Sequence, residues 1–283
     1  MNNEEKTAFG AFLTNIFLFL LKVSAAIPSG SLALLSSAFD SLNDVVSYLI
    51  GYYSIRESAR GPDRDHPFGH RRMQPLAAIV IAIFAAILSF EILRFTVISF
   101  LSGVSLFEIT TYTFLVLVIT IVVKLIMYFF LKNASKKNLS SAIDAMMVDS
   151  KNDILFNSIA IVGVSGAYFG QPFLDEAAAV IIAAYIAYSG YEVARKNFNY
   201  IVGAKPDKKI IDTIAKKARK VNGVKKLGLM RAHYVGDRVH VELAILVEKE
   251  TKGLKSHEIA LNVQHAIESL QIVERAFIHV DYG

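Results

Sequence analysis

The chain has 283 residues, of which 54% are hydrophobic and 19% are charged, and its formal net charge is +5. Its mean hydropathy is +0.44. Soluble domains of this length are rarely so apolar, which argues against a soluble enzyme, a disordered chain or a fibrous protein. The absence of cysteine excludes disulfides, thiolate nucleophiles, iron–sulfur clusters and Cys-type zinc sites. The positive charge indicates nucleic acid only weakly, and we expect no nucleic-acid partner.

Six apolar segments are each long enough to cross a bilayer as a helix, which takes about 20 residues. Half of all Lys and Arg lie beyond residue 204, in little more than a quarter of the chain. We therefore expect a six-helix transmembrane domain at 1–204 and a soluble C-terminal domain at 205–283. The six predicted spans are 8–27, 32–55, 75–100, 109–131, 142–168 and 174–194.

The connections between the spans predict the orientation. Segments 56–72 and 132–137 together contain eight Lys and Arg, whereas segments 28–31, 101–107 and 169–173 contain none. Because basic connections stay on the cytoplasmic side, both termini are expected there. The sequence predicts a multi-pass protein of the cell (inner or plasma) membrane, surrounded by its lipids.

The C-terminal segment has the pattern of a small α+β domain. A helical pattern covers 207–221, and alternating residues predict strands at 225–234 and 237–248, joined at Gly236-Asp237. A second helix is expected at 254–270 and a last strand at 273–281. The order α-β-β-α-β predicts helices on one face of a three-stranded sheet.

Four aspartates lie where a bilayer is least able to hold charge. Asp40 and Asp44 fall within the second span, and Asp149 and Asp153 within the fifth. The i, i+4 spacing places each pair on one helix face. Each such residue costs roughly 2.5–3.5 kcal/mol to insert, so a structural role explains them poorly. Four converging carboxylates need a divalent cation or protons to neutralise them, and such a site exchanges metal for protons.

The aspartate pairs leave two questions open: whether they bind a metal at all, and which metal they prefer. Hydrogen bonds to Ser and Asn neighbours, or pairing with Lys22, Lys124 or Lys151, would be an alternative to metal binding. An all-oxygen donor set favours Mn²⁺, Fe²⁺ or Mg²⁺ relative to a site with imidazole, which suits Zn²⁺. This is a preference and not an exclusion, because intrinsic affinity ranks Zn²⁺ above Mn²⁺.

A second candidate cluster lies in the basic connection. Asp63, His66 and His70 offer a carboxylate and two imidazoles within eight residues. This spacing could bind a metal. A polar loop, or a helix N-terminus capped by Asp65, explains the same residues equally well.

The C-terminal domain holds a third set of candidates. His279 and Asp281 alternate along one strand and therefore share a face. His233, His240 and His257 could converge on them. Scattered histidines in a soluble domain are often structural, and that interpretation stays open.

Three motifs resemble the cation diffusion facilitators, which are proton-coupled exporters of divalent metals. Residues 40–44 (DSLND) resemble the family's second-span motif, 149–153 (DSKND) its fifth-span motif, and 66–70 (HPFGH) its following loop. The resemblance covers nearly the whole chain. It implies that the four intramembrane aspartates form the transport site, that Asp63, His66 and His70 form a loop metal site, and that the C-terminal domain binds metal and dimerises.

The chain also departs from the family pattern. Asp149 stands where zinc-transporting members usually have histidine, which places the chain near the manganese-linked branch, with iron plausible. Gln74 stands where many relatives have glutamate. In the C-terminal domain the resemblance carries metal ligation only to His257, His279 and Asp281, with His233 as a weaker candidate.

We therefore expect a homodimeric divalent metal/proton antiporter that exports Mn²⁺, or Fe²⁺, Zn²⁺ or Co²⁺, by alternating access. It should not be an enzyme and should carry no prosthetic group. A membrane-tethered metal sensor would not need four intramembrane carboxylates. An intramembrane aspartyl protease would need two, and the GxGD motif typical of that class is missing.

Overall fold

The computed structural model describes residues 3–29, 32–102, 111–137, 139–168 and 172–283. The chain forms two compact units, Met1–Asn197 and Phe198–Gly283. Six long helices come first along the chain. They are α1 (Asn3–Ser29), α2 (Leu32–Ser58), α3 (Met73–Ser102), α4 (Thr111–Lys137), α5 (Ser141–Tyr168) and α6 (Pro172–Ile201).

Each predicted span falls on one of these helices, apart from the start of the fourth span at 109–110, which lies outside the described residues. Three stretches of the described chain are by themselves apolar enough to cross a membrane: Asn3–Ser24, Met73–Ile98 and Phe114–Lys137. Helices α2 and α5 are less apolar because each carries an aspartate pair and several Ser and Asn residues. The connections 28–31, 101–107 and 169–173 lie partly outside the described residues.

The outside of the helical unit is apolar. Large side chains on α1, α3 and α4 are 56–78% exposed, among them Phe17, Leu20, Phe90, Leu101 and Ile126. An apolar surface of this extent marks contact with a membrane rather than with water. The helical unit is therefore a multi-pass membrane domain, as the sequence predicted.

Alanines and larger apolar residues together fill the interior of the bundle. Helix α2 packs against α1, α3 and α5, and α4 packs against α1 and α5. Short side chains let the helices approach closely, as is usual in membrane bundles. The main buried cluster consists of Ala8, Ala11, Tyr48, Ile55, Ala78, Ile81, Met127, Leu131, Ala142, Ile143, Ala145 and Met146.

The C-terminal unit has the predicted α-β-β-α-β order, and every bound lies within two residues of its prediction. Its sheet has the order β1-β2-β3, with β2 antiparallel to β1 and parallel to β3. Gly236 has a φ of +66° and opens the two-residue turn between β1 and β2, a position that favours glycine. The elements are α7 (Lys208–Arg219), β1 (Lys226–Val235), β2 (Arg238–Val247), α8 (Gly253–Glu268) and β3 (Val273–Tyr282).

Strand β2 sets the two faces of the sheet. Its odd-numbered residues from Val239 to Val247 are buried against α7 and α8, in one cluster with Ile214, Val263 and Ile267. The period of two turns the even-numbered residues to the opposite face. The helices thus cover one face of the sheet, which confirms the predicted α+β layer.

We predict that Leu243→Ala lowers the free energy of unfolding of the C-terminal fragment 198–283 by about 2–5 kcal/mol, because Leu243 is only 2% exposed and its removal leaves a cavity. Leu254→Ala is the matched control, since Leu254 is 88% exposed and its loss should change stability by less than about 0.5 kcal/mol. Urea unfolding of both variants measures the difference. Equal losses would contradict the assigned core.

Candidate metal centre

Helices α2 and α5 bring three of the four predicted aspartates together. Carboxylate oxygens of Asp44, Asp149 and Asp153 all lie within 4.8 Å of one another. Asp149 and Asp153 are buried, and Asp44 is partly buried. Asp40 lies one helical turn before Asp44 on α2, so helical periodicity places it on the same face. The side chain of Asp40 lies outside what the structure describes.

One carboxylate oxygen in this cluster is left without a partner. Oδ2 of Asp149 is buried and accepts no hydrogen bond from the described residues. A buried acceptor without a donor is costly, and native proteins usually satisfy such an atom with a residue, a water or an ion. The free oxygen therefore offers a ligand atom to a cation.

A lysine from α4 enters the same cluster. The ammonium of Lys124 donates to Oδ2 of Asp44 at 2.9 Å and also to Oδ2 of Asp153. Lys124 is 1% exposed and lies 5.5 Å from the centre of the Tyr48 ring. Lys124 thus bonds two of the described aspartates directly. Lys151 is exposed and donates to the Tyr185 hydroxyl at 2.6 Å.

A cavity of about 50 Å³ adjoins the carboxylates. This volume exceeds the roughly 10–15 Å³ that one water needs, so the cavity can hold a cation with some of its water. On α3 and α5 its walls extend from the carboxylates toward the C-terminal ends of the helices. Besides the three aspartates and Lys124, the lining consists of Lys22, Asn43, Phe84, Ala85, Ile87, Leu88, Glu91, Phe156 and Asn157.

On the other side of the carboxylates the helices are tightly packed. The hydroxyl of Tyr48 donates to the carbonyl oxygen of Met146 at 2.8 Å and lies 2.7 Å from Oγ of Ser150. Tyr48 is completely buried, and Ile55 and Ile143 belong to the same cluster. This layer closes the end of the bundle where α2 ends and α5 begins.

A buried hydrogen-bond chain reinforces this closed end. The Gln74 amide donates to Oγ of Ser58 at 2.7 Å, and Oγ of Ser140 donates to the Gln74 carbonyl oxygen at 2.7 Å. The chain links the end of α2, the start of α3 and the residue before α5. Gln74 is neutral and fully buried, so both of its polar groups are satisfied without a charge.

The connection between α2 and α3 assembles the second predicted cluster. Oδ1 of Asp63 lies 3.4 Å from Nδ1 of His66, and Oδ2 lies 3.4 Å from Nε2 of His70. The backbone N–H of His66 donates to Asp63 at 2.6 Å and holds the pKa of its carboxyl below the usual value. One carboxylate and two imidazoles within 4.8 Å are a plausible donor set for a borderline cation such as Zn²⁺.

The C-terminal candidates are only partly brought together. Nε2 of His279 lies 3.1 Å from Oδ1 of Asp281, on the sheet face away from the helices. His233 pairs across the strands with His240, 5.8 Å between ring centres. His257 lies on α8, in the layer on the opposite face. Residues 198–283 are all described, and they contain no cluster of three metal-ligating side chains within one chain.

Comparison with known proteins identifies the family. Residues 8–202 match the family model of the cation efflux transmembrane domain, and residues 206–282 match that of the cytoplasmic domain of cation efflux proteins. The chain belongs to the cation efflux family. The resemblance to cation diffusion facilitators is therefore confirmed, and the family consists of transporters.

Relatives of this cation efflux protein occur in archaea, bacteria and plants. An uncharacterised transporter of Methanocaldococcus jannaschii is 32% identical over 99% of both chains. The manganese efflux system protein MneP of Bacillus subtilis is 26% identical over 98% of this chain and 95% of its own. Metal tolerance protein 11 of Arabidopsis thaliana is 26% identical over 95% of this chain and 69% of its own.

Sequence reasoning offered Lys124 only as one of three lysines that could pair with the aspartates, and it gave Tyr48 no role at the carboxylates. A signal for Lys124 was present, because a charged residue in the middle of an apolar span is a functional candidate by default. Tyr48 follows Asp44 by one helical turn, which places its ring directly beside the carboxylates. The aspartate spacing drew attention to α2 and α5, whereas Lys124 comes from a helix without a carboxylate.

Proposed function

We propose that this protein is a divalent metal/proton antiporter that exports Mn²⁺ from the cytoplasm by alternating access. The convergence of Asp44, Asp149 and Asp153 beside a cavity carries the proposal. Asp40 completes the set from the same face of α2. Three or four carboxylates in a low dielectric need a cation, and a cavity beside them gives that cation a way in.

The donor chemistry supports Mn²⁺ as the main cargo. All described ligand atoms of this site are carboxylate oxygens, which suit Mn²⁺ better than a site with imidazole would. The name of the Bacillus subtilis relative, a manganese efflux protein, agrees with this preference. Fe²⁺, Zn²⁺ and Co²⁺ are the alternative cargoes, because intrinsic affinity does not exclude them.

The one-sided packing supports alternating access. The cavity lies toward the C-terminal ends of α3 and α5, and the Tyr48 layer closes the other end. Transport requires that these two ends open in turn. A protein that only sensed metal would need no such arrangement, and a protease would need only two of the carboxylates.

The remaining expectations complete the proposal. The protein lies in the cell membrane with both termini in the cytoplasm, has no enzymatic activity and works as a homodimer through its C-terminal domain. Asp63, His66 and His70 form an accessory metal site. His279 and Asp281 form half of a C-terminal site, which His257 or His233 completes in the dimer.

We predict that Asp153→Ala lowers Mn²⁺ flux into proteoliposomes by more than about 100-fold, because loss of a direct ligand should exceed the 10- to 100-fold cost of losing an outer-shell partner. Asp144→Ala is the matched control on the same helix. Asp144 bonds Ser135 and the exposed Lys196, and its loss should leave most of the flux. Wild-type flux by the Asp153 variant would refute the proposed site.

We predict that an acidic vesicle lumen accelerates Mn²⁺ uptake, because the carboxylates exchange metal for protons. A gradient of one pH unit supplies about 1.4 kcal/mol for each proton that moves. Simultaneous recording of metal entry and lumenal pH measures the coupling. Metal flux without proton counterflow, unchanged by the imposed gradient, would rule out antiport.

We predict that Asp149→His shifts the flux ratio toward Zn²⁺ by about tenfold, because an imidazole replaces the free carboxylate oxygen and suits zinc better. Competitive flux of Mn²⁺ and Zn²⁺ through both forms measures the ratio. Asp144→His controls for the addition of a histidine elsewhere on α5. If both variants keep the wild-type ratio, selectivity lies outside this position.

A further inference from the structure

Lys124 occupies the place that a transported cation would take. Its ammonium bonds Oδ2 of Asp44 on α2 and Oδ2 of Asp153 on α5. These oxygens belong to the two helices whose carboxylates form the proposed transport site. An ammonium carries three donors and no acceptor. Its two hydrogen bonds therefore occupy carboxylate oxygens that a metal ion would need as ligands.

An ammonium and a divalent ion cannot share these oxygens. Two positive charges about 3 Å apart in a protein interior repel each other strongly. In this arrangement Oδ2 of Asp149 is buried and accepts no hydrogen bond from the described residues. An arriving metal ion therefore meets a free oxygen on Asp149, whereas Lys124 already occupies one oxygen of Asp44 and one of Asp153.

We propose that Lys124 is a built-in competing cation of the transport site. This inference rests on the proposed function. The ammonium offsets part of the charge of Asp44 and Asp153 while no metal is bound, and it withdraws when a divalent ion displaces it. On the opposite step it returns to the carboxylates and helps to expel the metal. Lys124 thus weakens metal binding and speeds metal release.

The surroundings of Lys124 permit such an exchange. Lysine has a flexible four-carbon stem, so its ammonium can move by several ångströms without backbone motion. The cavity beside it has about 50 Å³ of free space. The Tyr48 ring lies 5.5 Å from Nζ, within the distance at which an aromatic face attracts a cation. The ammonium thus has an aromatic partner where it now lies, and it has room to move on the cavity side of the carboxylates.

A purely structural lysine is the competing explanation. Lys124 joins α4 to α2 and α5, and a static bridge would hold the three helices together. The two explanations differ in what substitutions do to metal affinity. Loss of a purely structural bridge would lower the stability of the protein without tightening metal binding. Loss of a competing cation would instead tighten metal binding.

The experiment compares wild type with Lys124→Gln and Lys124→Arg, as full-length protein in proteoliposomes, by initial rates of Mn²⁺ uptake. Lys124→Gln should lower the KM by about tenfold and reduce the maximal rate, because release slows. Lys124→Arg should raise the KM by about tenfold, because a guanidinium grips carboxylates in a two-point geometry and withdraws less readily. Opposite shifts are the signature of competition.

Lys151→Gln is the matched control, because it removes an exposed lysine that bonds Tyr185 and lies outside the cluster. It should keep the wild-type KM and maximal rate. KM values of both Lys124 variants within twofold of wild type, or shifts in the same direction, would overturn the proposal. If the Lys124→Gln protein does not insert into the membrane, the Lys124→Arg variant alone tests the proposal. A KM for Mn²⁺ equal to that of wild type would then contradict competition.

Equilibrium Mn²⁺ binding, measured by calorimetry on the detergent-solubilised protein, separates this inference from the proposed function. A wild type that carries no Mn²⁺ flux refutes the transport function. The same protein can still reveal competition, through about tenfold weaker binding by Lys124→Arg than by wild type. Equal affinities in that comparison would refute the role of Lys124 whatever the flux.

Discussion

Negative charge buried inside an apolar bundle must be balanced by positive charge nearby. Asp149 and Asp153 are buried among helices whose outer surface is apolar, and Asp44 adjoins them. The described structure offsets part of this charge with Lys124, drawn from a third helix. This single ammonium leaves Oδ2 of Asp149 without a partner, so the cluster is incomplete both in charge balance and in hydrogen bonding. That combination suits a site that must accept and release a cation repeatedly.

Hydrogen bonding and packing divide the surroundings of this charge into two unlike regions. Toward the C-terminal ends of α3 and α5 lies open volume, whereas Tyr48, Met146 and their neighbours fill the other side. Gln74 joins three elements at the filled end without introducing charge. In this member of the cation efflux family, the carboxylate cluster thus lies between a cavity and a neutral hydrogen-bonded region around Gln74.

The periodicity of apolar residues along the sequence made many helices and strands of this structure predictable. The strands and helices of the C-terminal unit were predicted within two residues, because alternation and helical period are properties of neighbouring residues. The i, i+4 aspartates likewise placed each pair on one helix face. The same pattern could not decide which of the three candidate lysines bonds the aspartates, because that depends on the tertiary arrangement of α2, α4 and α5. The separation of His257 from His279 also depends on packing, since α8 lies on the face opposite to His279.

Gly51 gives the filled end an unusual mechanical property. A Cβ at this position would lie 2.1 Å from Cε of Met146, so α2 meets α5 through bare backbone on one side and a thioether on the other. Methionine is unbranched and adapts its shape at little cost. A glycine facing a methionine lets the two helices slide or tilt past each other while the contact stays filled. This close contact between α2 and α5 is therefore also a compliant one, where helix movement requires rotation of one side chain rather than rebuilding of the core.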